Sequence, residues 1–174
     1  LLALVLFMNQ SFAQDSLKTI KALRVTTSPK IDGLLDDEVW KNAQPVSDFV
    51  QNQPIEGNPV TQKTEVKILY DDYAIYVGAM MYDTAPDSIL HELGMRDDDA
   101  LNAEKFRFVF DPYMGLTDAY EFGVYSSGVQ IDHRWSDWTY NALWSSAVKI
   151  TDKGWSLEMK IPYSAIRFPN TKEQ

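Results

Sequence analysis

The 174-residue sequence predicts an all-β protein, an antiparallel β-sandwich with one short helix near its front. Three observations point there. From Leu23 onward the apolar residues recur with a period of two, as half-buried strands require. Clusters of Gly, Pro, Asn and Asp separate these runs at short intervals. Only one stretch carries helical spacing.

The elements follow in order. "DDEVWKNA" reads as the helix, with Asp36 or Asp37 at its N-cap and Val39, Trp40 and Ala43 on one side. "EVKILYDDYAIYVGAMMYD" reads as a hairpin: Val66, Ile68 and Tyr70 share a face, the chain turns at Asp71 and Asp72, and a second strand runs from Ile75 to Tyr82. "KFRFVFD" alternates most strictly, so Phe106, Phe108 and Phe110 are expected toward the core, opposite Lys105, Arg107 and Val109. "AYEFGVYSSGVQID" repeats the pattern around a Ser127-Gly128 turn. "LWSSAVKITDKGWSLEMKI" closes the series as a hairpin about Asp152-Lys153-Gly154, which makes Trp144 and Trp155 core residues. Two connections, residues 53–63 and 84–104, are long enough to be functional or mobile.

The start, "LLALVLFMNQSFAQ", reads as a secretory signal peptide lacking its basic beginning and cut after Ala13. Its apolar run is far short of the roughly 20 residues of a membrane-spanning helix. Residues 14–21 then form a linker, 22–169 the sandwich, and 170–174 the start of a further region. The chain has no cysteine, so disulfides and thiolate metal sites are excluded. A net charge of −9 argues against nucleic acid or anionic lipid as a partner and suits a neutral ligand or a cation.

No pattern of a nucleophile or catalytic metal is present: there is no GxSxG, and His91 and His133 lack HExxH spacing. Two other stretches stand out. "RDDDALNAE" offers Asp97, Asp98, Asp99, Asn102 and Glu104, hard oxygen donors of the kind Ca²⁺ takes in sets of six to eight, although the EF-hand order is missing. It is either a calcium loop or a solvated one with an ion pair to Arg96. "DHRWSDWTYNALW" crowds Trp135, Trp138 and Tyr140 among polar residues beside His133 and Arg134. Loop indoles of this kind either plug the end of a sandwich or meet a ligand, which here would be a sugar lying flat on the rings.

Five stretches in order and spacing resemble the family 9 carbohydrate-binding-module-like domain: "IDGLLDDEVWKNA", "TEVKILYDDYAIYVGAMMYD", "RDDDALNAEKFRFVFDPYMG", "AYEFGVYSSGVQID" and "GWSLEMKIPYSAIRF". They are most similar to the version found at the N-terminus of large exported bacterial proteins, ahead of a region resembling an outer-membrane β-barrel. The resemblance spans about residues 22–169 and implies a jelly-roll or DOMON-like sandwich that binds sugar between aromatic side chains, often with structural calcium. Ile31, Asp32, Gly33, Asp37 and Trp40 match the family's opening motif, Asp111 the aspartate after the central strand, and Trp144, Trp155 and the run from Ile161 to Phe168 the closing motif. Glu104 stands where relatives commonly have Asp, and Ser126 where Asn is usual. Trp135, Trp138 and Tyr140 lie in the variable segment, where no family sugar-binding residue maps. The expectation is an exported module of a Gram-negative bacterium that binds an oligo- or polysaccharide, at the periplasm, outer membrane or cell surface. The alternatives are an interaction domain that binds no sugar, or part of a glycoside hydrolase whose catalytic residues lie elsewhere.

Overall fold

The computed structural model describes residues 19–115, 117–137 and 139–169. The expected signal peptide, most of the linker and the final segment lie outside these residues. Eight strands form two sheets. The larger has the order β1-β2-β3-β8-β7, built from Leu23–Arg24, Thr64–Tyr70, Ala74–Tyr82, Gly154–Pro162 and Ser145–Thr151; the smaller, β4-β5-β6, comprises Lys105–Phe110, Tyr120–Tyr125 and Gln130–Arg134. All pairings are antiparallel except that of two-residue β1 with β2, which is parallel.

The main core lies between the sheets. Val66, Val77, Ala79, Leu157, Met159 and Ile161 from the larger sheet meet Tyr120, Phe122 and Val124 from the smaller. The larger sheet is also covered on its outer face, where helix α1, Glu38–Lys41, and the turn after it lay Trp40 and Ala43 over Leu69 and Tyr76. This second layer explains why β3 reads as a continuous apolar run and why the polar positions Ser156 and Glu158 of β8 are buried. Gly78 makes the layer possible, because a Cβ there would come within 2.9 Å of the Trp40 ring.

The helix is a single turn. Asp37 stands at its N-cap, but its carboxylate accepts from the Lys30 N–H at 2.8 Å instead of capping the helix. Trp40 is held from the sheet side: its indole N–H donates to buried Glu158 at 2.7 Å, and the Asp32 and Gly33 N–H groups donate to the other oxygen at 2.9 Å. Gly33 has φ +88° and an ideal Cβ would sit 2.7 Å from the Val148 backbone, so only glycine fits this cradle.

The hairpins form where expected. Asp71 closes the β2–β3 turn by accepting from the Tyr73 and Ala74 N–H groups at 2.7 and 2.9 Å, while its second oxygen accepts from the Ser28 and Tyr76 hydroxyls, both at 2.7 Å. The expected orientation of β4 also holds, since Phe106, Phe108 and Phe110 pack against the main core. All three rings stay only half-buried. The reason is position: β4 is the edge of its sheet, and beside it an apolar cleft of about 600 Å³ opens between Phe106, Phe108, Val66, Ile68 and Phe49.

Candidate functional site

Strand direction separates two different chemistries along the smaller sheet, with Arg96 and Asp97 reaching between them to Asp132. Asp97 to Glu104 precede the start of β4, beside the start of β8, where the Trp155 indole N–H donates to Glu104 at 2.8 Å. The aromatic segment follows the end of β6 and meets the end of β8, where Arg167 donates its N–H to the Tyr120 hydroxyl at 3.0 Å.

In the first group the acidic side chains do not converge. Asp99 pairs with Lys105 and Arg107, and both cations hold its carboxyl below the ordinary range against burial, which alone would raise it. Asp97 accepts from the Asp132 N–H at 3.0 Å, and its other oxygen lies 3.6 Å from the Arg96 guanidinium. Asp98 accepts from the Ala100 N–H at 3.1 Å, the Asn102 backbone is bonded to Glu92, and Glu104 is engaged with Trp155. Among the described residues no three His, Asp or Glu side chains are grouped to hold a metal ion. The five donors therefore do not fit one calcium ion, which needs its oxygens gathered on a single point.

In the second group, three aspartates wind the segment after β6 into a series of turns. Asp118 pairs with the Arg134 guanidinium at 2.6 Å and accepts from the Ser136 N–H at 3.3 Å. Asp137 accepts from the Thr139 N–H and hydroxyl at 2.9 and 2.7 Å, and Asp132 accepts from the Ala142 N–H at 2.7 Å. Hydrogen bonds from Ser136 and Arg134 hold the Asp118 carboxyl below its ordinary range; those from Thr139 do the same for Asp137. The polar residues that interrupt the aromatics are thus the scaffold of the loop.

The aromatic residues divide. Trp135 is 52% exposed, with its backbone N–H bonded to the Ala119 carbonyl. Trp138 lies outside the described residues. Tyr140 turns inward, edge-on to Tyr120 and Phe122 with ring centroids 5.4 and 6.4 Å away, and its hydroxyl donates to the Ala165 carbonyl at 2.7 Å. Burial, and then the charge of Asp132, push the Tyr140 hydroxyl well above its ordinary pKa. Trp144 is buried, edge-on to Phe122, with its indole N–H on Asp132 at 3.1 Å. His133 is half-buried opposite Glu121 in the sheet.

Between this segment and residues 164–167 lies a cleft of about 290 Å³. Tyr140 gives it aromatic surface, while the Tyr120 ring is buried behind it; Arg134, Asp137, Asn141 and Arg167 give it hydrogen-bonding groups of both polarities. Arg134 is fixed twice, by Asp118 and by lying 5.4 Å over the Tyr120 ring. Of the residues expected at a sugar site, the cleft gathers Arg134 and Tyr140. The sequence reading missed Tyr120, Asn141 and Arg167. Their signal was weak, because Tyr120 reads as ordinary strand and Arg167 comes from the distant end of the chain.

A two-sheet sandwich with an aromatic, hydrogen-bonding cleft among its end loops is a fold of the carbohydrate-binding-module class. The chain belongs to the carbohydrate family 9 binding domain-like family, whose profile matches residues 31–174. A family 9 carbohydrate-binding module from Caldicellulosiruptor kristjanssonii, solved in complex with cellotriose, is similar at 19% identity and a TM-score of 0.57, over 82% of this chain and 67% of that one. The glucose complex of a family 9 module from the same organism is similar at 19% identity and a TM-score of 0.59, over 86% and 71%. At that identity the likeness establishes a shared fold. No curated protein matches the sequence.

Proposed function

We propose that this domain binds carbohydrate at the cleft between the Arg134–Leu143 segment and Ser164–Arg167, as a module of an exported bacterial protein. The observation that carries the reading is the pairing of the Tyr140 ring with fixed donors and acceptors in one concave site. A pyranose has an apolar C–H face and a rim of hydroxyls; Tyr140 suits the first, while Arg134, Asp137 and Asn141 suit the second. Exposed Trp135 supplies further stacking surface beside the cleft. Family membership and the sugars bound in the two similar structures support the same class of ligand. Attachment to a barrel-like or hydrolytic region, and export to the periplasm, outer membrane or cell surface of a Gram-negative bacterium, belong to this proposal. No helix among the described residues is long and apolar enough to cross a membrane.

Affinity should be modest. Stacking contacts are worth about 0.5–1.5 kcal/mol each beyond area burial, and a few hydrogen bonds are offset by lost hydration. Binding of about −4 to −8 kcal/mol corresponds to roughly millimolar to micromolar dissociation constants. Titration calorimetry against glucose and against cellulose, xylan and chitin oligomers tests the proposal. A heat of binding that falls several-fold in affinity with Trp135→Ala supports it, and flat titrations across the panel overturn it.

A second reading, an interaction domain of an outer-membrane protein that binds no sugar, is favoured by one feature. The apolar cleft beside β4 has Phe49, Val50 and Val109 exposed at its mouth.

A further inference from the structure

The cleft does not end at its wall. That wall is the stretch after β8: a 3-10 turn, Tyr163–Ala165, then extended Ile166, which is buried and anchors the chain against the core. Ser164 to Arg167 line the cleft. The residues that bracket the wall, Tyr163 and Phe168, pack on each other edge to face, with centroids 5.7 Å apart and planes at 69°. Tyr163 in turn fixes a third ring. Its N–H donates to the Tyr73 carbonyl at 2.9 Å, and its hydroxyl donates to the Asp71 carbonyl at 3.0 Å. Tyr73 sits at the tip of the β2–β3 turn with 77% of its surface exposed, and Phe168 is 40% exposed.

We infer that the ligand is an oligosaccharide that leaves the cleft over Arg167 and stacks on a second subsite made by Phe168, Tyr163 and Tyr73. This rests on the proposed function and names the length of ligand that the same end of the sandwich accepts. Three observations carry it. The cleft, at about 290 Å³, is at the small end of the ~300–1,000 Å³ typical of small-molecule sites, so it holds a short portion of a glycan. The second set of rings begins one residue beyond the cleft lining, within about 4 Å of chain, on the same stretch of backbone that walls the cleft. Both parts are rigid: Asp71 locks the turn that carries Tyr73 with four hydrogen bonds, which lowers the ordering cost of stacking there. The surroundings suit a sugar better than a lipid surface, because the exposed Arg24–Asp72 pair and the tyrosine hydroxyl place polar groups around the rings and the chain carries a net −9.

Calorimetry on the full chain with glucose, cellotriose and cellohexaose, repeated with the xylose and chitin series, tests the inference. The expected result is an affinity that rises at least about fivefold from the shortest to the longest member of the series that binds. Tyr73→Ala, at a mostly exposed side chain, should remove that gain and leave affinity for the shortest binding member unchanged, and Tyr73→Phe should restore it. Equal affinity for short and long members, or a Tyr73→Ala variant that keeps the full gain, would overturn the second subsite while leaving sugar binding at the cleft intact. Flat titrations for every member of every series would overturn both.

Discussion

The indole N–H of Trp144 donates to the buried carboxylate of Asp132 at 3.1 Å, and this bond fixes where the aromatic segment ends and the core begins. The same carboxylate pairs with Arg96 and accepts from the Ala142 N–H. The other two indoles of the core are held alike, Trp40 by Glu158 and Trp155 by Glu104. A buried indole must place its one donor, and a carboxylate accepts it strongly while fixing the plane of the ring.

Trp144→Ala should therefore destabilise the domain by about 3–5 kcal/mol, the range for removing a large buried aromatic. Urea unfolding checks it. Asp132→Ala should cost a comparable amount, because it leaves the Trp144 indole N–H and the Ala142 N–H without their acceptor in a buried site and removes the carboxylate paired with Arg96.

Trp135→Ala should change stability by no more than about 0.5 kcal/mol, as exposed substitutions usually do. Its effect belongs in sugar affinity, lowered several-fold. A variant that unfolds at the same denaturant concentration as wild type but binds more weakly is the expected outcome.

Stability should fall steeply in strong acid through Asp71. Burial would raise its carboxyl, yet hydrogen bonds from Tyr76, Ser28, Tyr73 and Ala74 bring it down to about 2. A folded-state pKa below the unfolded value of 3.8 gives stability that is present above pH 4 and lost as pH falls through about 2. Allowing for screening near the surface, the loss is about 1–2 kcal/mol. Acid titration of unfolding free energy should show this slope in the wild type and a shallower one in Asp71→Asn.

Calcium should leave the melting curve in place. Asp99 already has Lys105 and Arg107 as its cations, and Glu104 holds Trp155. A specific site at 100 times its dissociation constant would add about 2.7 kcal/mol, worth several degrees in a domain of this size. Coincident curves with EDTA and with millimolar Ca²⁺ are expected; a rise of several degrees would show that the loop rearranges around the ion.

The strands were readable where one face meets the core and the other meets solvent: Phe106, Phe108 and Phe110 point inward as their spacing requires, and Arg107 and Val109 outward. That the three rings stay half-exposed was not readable, since nothing local marks β4 as an edge. The same limit applies at the site. Trp135 and Tyr140 look alike in sequence, both flanked by polar residues, but one is exposed and the other packs on Tyr120 and Phe122. What separates them is the winding imposed by Asp118, Asp132 and Asp137. Such long-range partners as Trp40 and Glu158, 118 residues apart, leave no local pattern.

The most direct test of carbohydrate binding at this end of the sandwich is a nuclear magnetic resonance titration of the isotopically labelled chain with cellulose, xylan and chitin oligomers. Shifts are predicted in the backbone amides of residues 134–143 and 164–168 and in the indole N–H of Trp135, with the Trp40 and Trp155 indoles unmoved. An unchanged spectrum across the panel, or shifts gathered instead around Asp97 to Glu104, would contradict it.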